Sequence, residues 1–87
     1  MNRPITEIIN DSDSATDLQK LIDLWNEIVK HKKKYSLVEI RNANNHIREN
    51  ALKADVIGSD IDKGKFYWHL ESMFKSDFNA NHLTKTQ

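Results

Sequence analysis

The chain has 87 residues, with 13 Lys and Arg balanced by 13 Asp and Glu, no Cys, two Gly and one Pro. That length makes one domain burying roughly 60–65% of its unfolded surface, and 38% hydrophobic residues give it a modest core under a wide polar surface. The missing Cys excludes disulfides and thiolate zinc sites, while so few turn residues argue against a many-stranded β fold.

Neutrality hides segregation. Residues 1–29 carry two cations and six anions, residues 30–53 seven and two, and residues 54–87 four and five. A basic middle between acidic flanks predicts a polarised surface suited to an anionic or charge-matched partner. The N-terminus lacks a basic-then-apolar leader, and no apolar run nears the roughly 20 residues that span a bilayer. The expectation is a cytoplasmic protein with no membrane partner.

Pro4 with Ile5, Ile8 and Ile9 predicts a single helical turn, because Pro suits the first helical position and the three Ile share a face. Asn10 to Ser14 reads as a polar linker, so residues 1–14 form an accessory turn and tether. The first main helix opens at Thr16, with Gln19 completing a capping box. Its stripe is Leu18, Leu21, Ile22, Trp25, Ile28 and Val29. The basic run Lys30-His31-Lys32-Lys33-Lys34 follows, where cations favour the helix C-terminus.

Ser36 with Glu39 opens the second main helix by the same device, with Leu37, Ile40, Ala43, Ile47, Ala51 and Ala54 facing inward. Gly58 caps its end near Ile57. Ser59 to Gly64 reads as a polar connection. The third helix runs from Lys65 to Ser76 on Phe66, Leu70, Met73 and Phe74, with Tyr67 at its shoulder and Phe78 packing back. The fold class is therefore all-α, a small three-helix bundle over residues 15–78 with an accessory N-terminal turn, and residues 79–87 form a tail.

Chemistry-bearing patterns are few. Asp60, Asp62 and Glu71 fall at positions 1, 3 and 12 of a calcium loop, but position 6 is Lys65 where Gly is needed. The four His make no metal-ligand spacing, and there is no Gly-flanked Ser and no Gly-rich phosphate loop. The reading is non-enzymatic, with no cofactor or metal.

Three stretches carry a resemblance. Leu21-Ile22-Asp23-Leu24-Trp25-Asn26-Glu27 is similar to the hydrophobic helix that opens the C-terminal domain of phage replication initiator (replisome organiser) proteins. Ile28 to Ser36, with its Val-Lys-His-Lys core, resembles the basic turn that follows in that family. Lys65 to Phe74 resembles its aromatic closing stretch, whereas residues 50–63 have no equivalent there. The resemblance covers about half the chain. It implies a role in phage or plasmid replication, through contact with a helicase loader or DNA.

Three functional readings follow. The first is an interaction module, encoded by a phage or mobile element, that binds a protein of the replication or host machinery. Its contacts would be Ile5, Ile8, Ile9, Tyr67 and Trp68, since Trp68 lies off the apolar stripe of its helix. The second is a nucleic-acid binder using Lys30, Lys32, Lys33, Lys34, Arg41, Asn45 and Arg48, where lysines attract phosphates and Arg and Asn carry donors that read base edges. The third is a homodimer whose helices complete each other's core.

Overall fold

The computed structural model describes residues 3–73 and Lys75. It is all-α, with four helices: α1 (Ile5–Asp13), α2 (Leu18–Lys30), α3 (Leu37–Ala51) and α4 (Asp60–Met73). A 3-10 turn, Lys32–Lys34, joins α2 to α3. Phe74, Phe78 and residues 79–87 lie outside the described residues.

The N-terminal segment differs from the expected turn and tether. Residues 5–13 form a full helix, and α1 packs chiefly on α3 and next on α2. Ile5, Ile8 and Ile9 are buried, Ile8 completely. The Asn-Asp-Ser-Asp run continues the helix because Ser12 turns inward: its hydroxyl donates to the Ile9 carbonyl (2.7 Å) and accepts from Asn50 Nδ2 (3.1 Å). A hydroxyl satisfied in this way is compatible with a helix interior. Asn50 Nδ2 also donates to Asp13 Oδ1 (2.9 Å), so one buried amide pins the end of α1 to α3.

Arg3 fixes the other end of α1. Its guanidinium forms a two-pronged pair with Glu27 on α2, 2.9 Å on each side, and also bonds Asp11 and Glu7. The Arg3 carbonyl accepts from the buried Tyr35 hydroxyl at 2.6 Å. Hydrogen bonding to Arg3 holds the Glu27 and Asp11 carboxyls below their ordinary range.

The cap of α2 sits one residue later than expected. Asp17, not Thr16, is the N-cap and accepts from the Lys20 amide at 2.8 Å, while Gln19 donates to Asp23. Leu18, Leu21, Leu24, Trp25 and Ile28 are buried, with Ile22 and Val29 half-buried. The α3 capping box forms as expected: Ser36 Oγ accepts from the Glu39 amide (3.1 Å) and Glu39 Oε1 from the Ser36 amide (2.8 Å). Ile40, Ala43, Ile47 and Ala51 are buried together with Asn44 and Asn50.

Helix α3 stops at Ala51, before the expected cap at Gly58. The chain turns back so that Val56 enters the core and Ile57 forms an isolated parallel bridge with Asp17. Two backbone bonds hold it, Leu18 N–H to Ile57 O (2.9 Å) and Ile57 N–H to Thr16 O (2.8 Å). A Cβ on Gly58 would stand 3.1 Å from the Leu18 Cβ, so glycine permits this close approach. Helix α4 then begins at Asp60, five residues earlier than expected, because Ser59 Oγ caps it by accepting from the Asp62 amide at 3.0 Å.

Two outcomes follow from these ties. Arg3→Ala should lower stability by about 1 kcal/mol near neutral pH. The Glu27 and Asp11 carboxyls are depressed, so this contribution is present above their ordinary pKa, about 4, and fades as the pH falls through the depressed values. Urea melts of wild type and variant should therefore differ at pH 7 and converge in the acid range. Asn50→Ala strips the donor from buried Ser12 and should cost about 2 kcal/mol, read as a drop in urea midpoint with unchanged slope.

Candidate protein and nucleic-acid interfaces

The sequence placed three groups of residues at candidate contact surfaces, and the fold separates them. Ile5, Ile8 and Ile9 belong to the core of this chain and are not open to a partner. Their side chains are the apolar face by which α1 docks on α3 and α2.

The basic run is exposed. Lys30 ends α2, His31 caps it, and Lys32, Lys33 and Lys34 project from the 3-10 turn, while Tyr35 anchors the bend from below. The four ammonium groups thus lie where the C-terminal dipole of α2 favours cations. Arg41 is exposed on the first half of α3, beside a shallow groove shared with Ile5, Thr6, Val38 and Asn45.

Arg48 and Asn45 do not extend this basic surface. Arg48 is half-buried, bonds Asn45 Oδ1 at 2.6 Å, pairs with Glu71 at 3.3 Å, and lies over the Tyr67 ring, 5.3 Å from its centroid. These contacts tie α3 to α4. The expected Arg-and-Asn reading face is therefore divided: Arg41 and Asn45 share the exposed groove, while Arg48, holding Asn45 Oδ1, turns to Glu71 and Tyr67. Spacing at i, i+4 and i+7 put the three residues on one side of a helix, but it could not show that α4 would cover the far end.

Tyr67 is the floor under Arg48. Its ring meets Trp68 edge to face, with centroids 6.0 Å apart and planes at 83°. Trp68 projects outward with 64% of its surface exposed, whereas Trp25 is fully buried and directs its indole N–H to the Met73 sulfur at 3.4 Å. The phase of α4 explains the difference. Lys63, Phe66 and Leu70 face inward, which points Ile61, Gly64, Lys65 and Trp68 away from the bundle.

Sequence reasoning missed the company Trp68 keeps. Ile61, two turns earlier on the same face, is 70% exposed, and Ile57 in the preceding loop is 74% exposed. Reading Asp60 to Gly64 as a connection hid the i, i+7 relation of Ile61 and Trp68; the Ser59-x-x-Asp62 cap was the available signal. Beside this face an open groove of about 590 Å³ is walled by Leu52, Val56, Ile57, Gly58, Lys63 and Gly64. Lys63 is buried along its stem, and its ammonium donates to the Lys53 carbonyl at 2.8 Å, holding the loop to α4.

Asp13 sits below the ordinary carboxylate range because Asn50 and then His46 hydrogen-bond it. It serves the α1–α3 tie. Among the described residues no three His, Asp or Glu gather as metal ligands, and no helix is long and apolar enough to cross a membrane. Arg48→Ala should loosen the α3–α4 tie, lowering stability by about 1 kcal/mol in urea melts, while leaving any salt-sensitive binding by the exposed lysines intact.

Comparison with known protein families, curated proteins and solved structures finds no match to this chain.

Proposed function

We propose that this chain is a small non-enzymatic helical module that binds another protein through the outward face of α4, with Trp68 as the anchor. The observation that carries the reading is the exposure of Trp68, Ile61 and Ile57 around one short helix. Contiguous apolar surface of this kind on a small domain marks a contact site, and Trp is the side chain most enriched at binding hot spots. The resemblance of three stretches to replication initiators, with its implied phage or mobile-element origin, directs the choice of partner to the replication or host machinery.

A second reading has its own supporting observation. Lys30, Lys32, Lys33 and Lys34 crowd one exposed bend, which favours phosphate contact by counterion release.

The test is binding of the full chain to a purified replicative helicase loader, measured by surface interferometry. Trp68→Ala should weaken capture by about thirtyfold, the mark of a hot spot, with little change in melting temperature. Unchanged capture, or collapse of the fold, would defeat the reading. If the loader is not captured while DNA binds in a salt-sensitive way lost on changing Lys32, Lys33 and Lys34 to Glu, the second reading replaces it.

A further inference from the structure

Gly64 has no explanation inside the fold. It sits in the interior of α4, where glycine is destabilising relative to alanine, and nothing lies within 4 Å of the position its Cβ would take. Among the described residues no neighbour needs the space. Gly64 lies between Ile61 and Trp68, one turn from each, so the outward face of α4 is a shallow saddle between two exposed apolar side chains.

The same helix has a charged flank. Asp62, Lys65 and His69 line one side of α4, facing a groove toward α2 that also takes in Gln19, Ile22 and Phe66. One acid is followed by two basic side chains along this flank, and no ion pair among the described residues involves any of the three.

We propose that the partner fitted by this face is a second copy of the chain, with the two α4 helices packed antiparallel about a two-fold axis between Gly64 and Lys65. The inference rests on the interaction face proposed above and names its occupant. An isologous contact must be self-complementary, each residue i meeting j as j meets i. Ile61 and Trp68 lie at equal distances on either side of that axis, roughly 5 Å along a helix rising 1.5 Å per residue. Trp68 of each copy therefore covers Ile61 of the other, twice. The bare Gly64 positions let the two backbones approach near the axis.

Charge complementarity points the same way. Two-fold antiparallel helices bring like flanks together, so the Asp62 flank of one copy meets the Asp62 flank of the other. Asp62 then stands between Lys65 and His69 of the second copy, about 3 Å along the axis from each. The two Lys65 side chains, nearest the axis, diverge toward opposite Asp62 carboxylates.

Covering Ile61 and Trp68 together with the adjoining Leu52 and Ile57, exposed by 55% to 74%, on both copies would remove at most about 1,000 Å² from water, the lower bound for a specific interface.

Sedimentation of the full chain from micromolar to millimolar concentration tests this. The mass should rise from one chain to two, with Trp68 fluorescence shifting to the blue as the dimer fills. Asp62→Lys should weaken association at least about tenfold by setting like charges face to face, Lys65→Asp should do the same, and the two together should restore it. Trp68→Ala should abolish it with the circular dichroism unchanged. A single-chain mass at every concentration overturns the dimer, as does a dimer indifferent to Asp62→Lys or to Trp68→Ala. A monomer whose loader capture still depends on Trp68 overturns the dimer alone. Unfolding of the Trp68→Ala chain overturns the interaction face with it.

Discussion

The burial of α1 against α3 is the constraint on which the rest of this molecule depends. Three main helices drawn from a chain with 38% hydrophobic residues leave an open flank, and Ile5, Ile8 and Ile9 close it. Each fully buried Ile is worth roughly 1.5–3 kcal/mol, a large share of the marginal stability of so small a domain. The small residues Ala43 and Ala51 on α3 are wholly buried and let neighbouring helices come close. Among the described residues, the large apolar side chains that stay exposed lie on α4 and in its preceding loop, with Val38 apart on α3.

Position along the interface is set by polar atoms. Asn50 joins Ser12 and Asp13, Asn44 donates to the Leu70 carbonyl at 3.1 Å, and Lys63 holds the Lys53 carbonyl. Apolar helix faces tolerate sliding, whereas a buried amide without its partner leaves an unsatisfied group costing about 1–3 kcal/mol. Asn50 sets the register of α1 on α3 in this way, and Asn44 that of α4 on α3. The loop that follows α3 is well placed because Val56 fills the core and the Ile57 backbone joins that of Thr16 and Leu18.

Where periodicity was unbroken, the helices were legible. The α2 stripe and the Ser36–Glu39 box appear in the structure, and the all-α class with them. Two misreadings share a cause: polar residues within α1 and in the first turn of α4 were taken for linkers. Ser12 and the two buried Asn of α3, Asn44 and Asn50, are polar residues in core positions, satisfied by partners 26 to 38 residues away, and no local pattern reveals such a partner. Asp60 to Gly64 looked like a loop because Asp and Gly are turn residues, yet Ser59 caps a helix there. Trp68 could be placed outside by phase alone. Its neighbour Ile57 could not, since its position comes from a bridge to Asp17 across the fold.

The fate of the three arginines narrows what the basic surface can do. Arg3 and Arg48 both act as interhelical ties, where a planar guanidinium meets carboxylates and an aromatic face with fixed geometry. Lysine, a compact and strongly hydrated charge, gains less from such positions, and Lys30, Lys32, Lys33 and Lys34 stand outside. Recognition of a guanine edge draws mainly on paired donors, which arginine supplies best, and of the three only Arg41 is exposed. Lysines on a bend attract phosphates through charge alone. Any nucleic-acid contact at this turn is thus electrostatic and indifferent to sequence, because the arginine donors that could read a base edge are, Arg41 apart, engaged in holding the helices together.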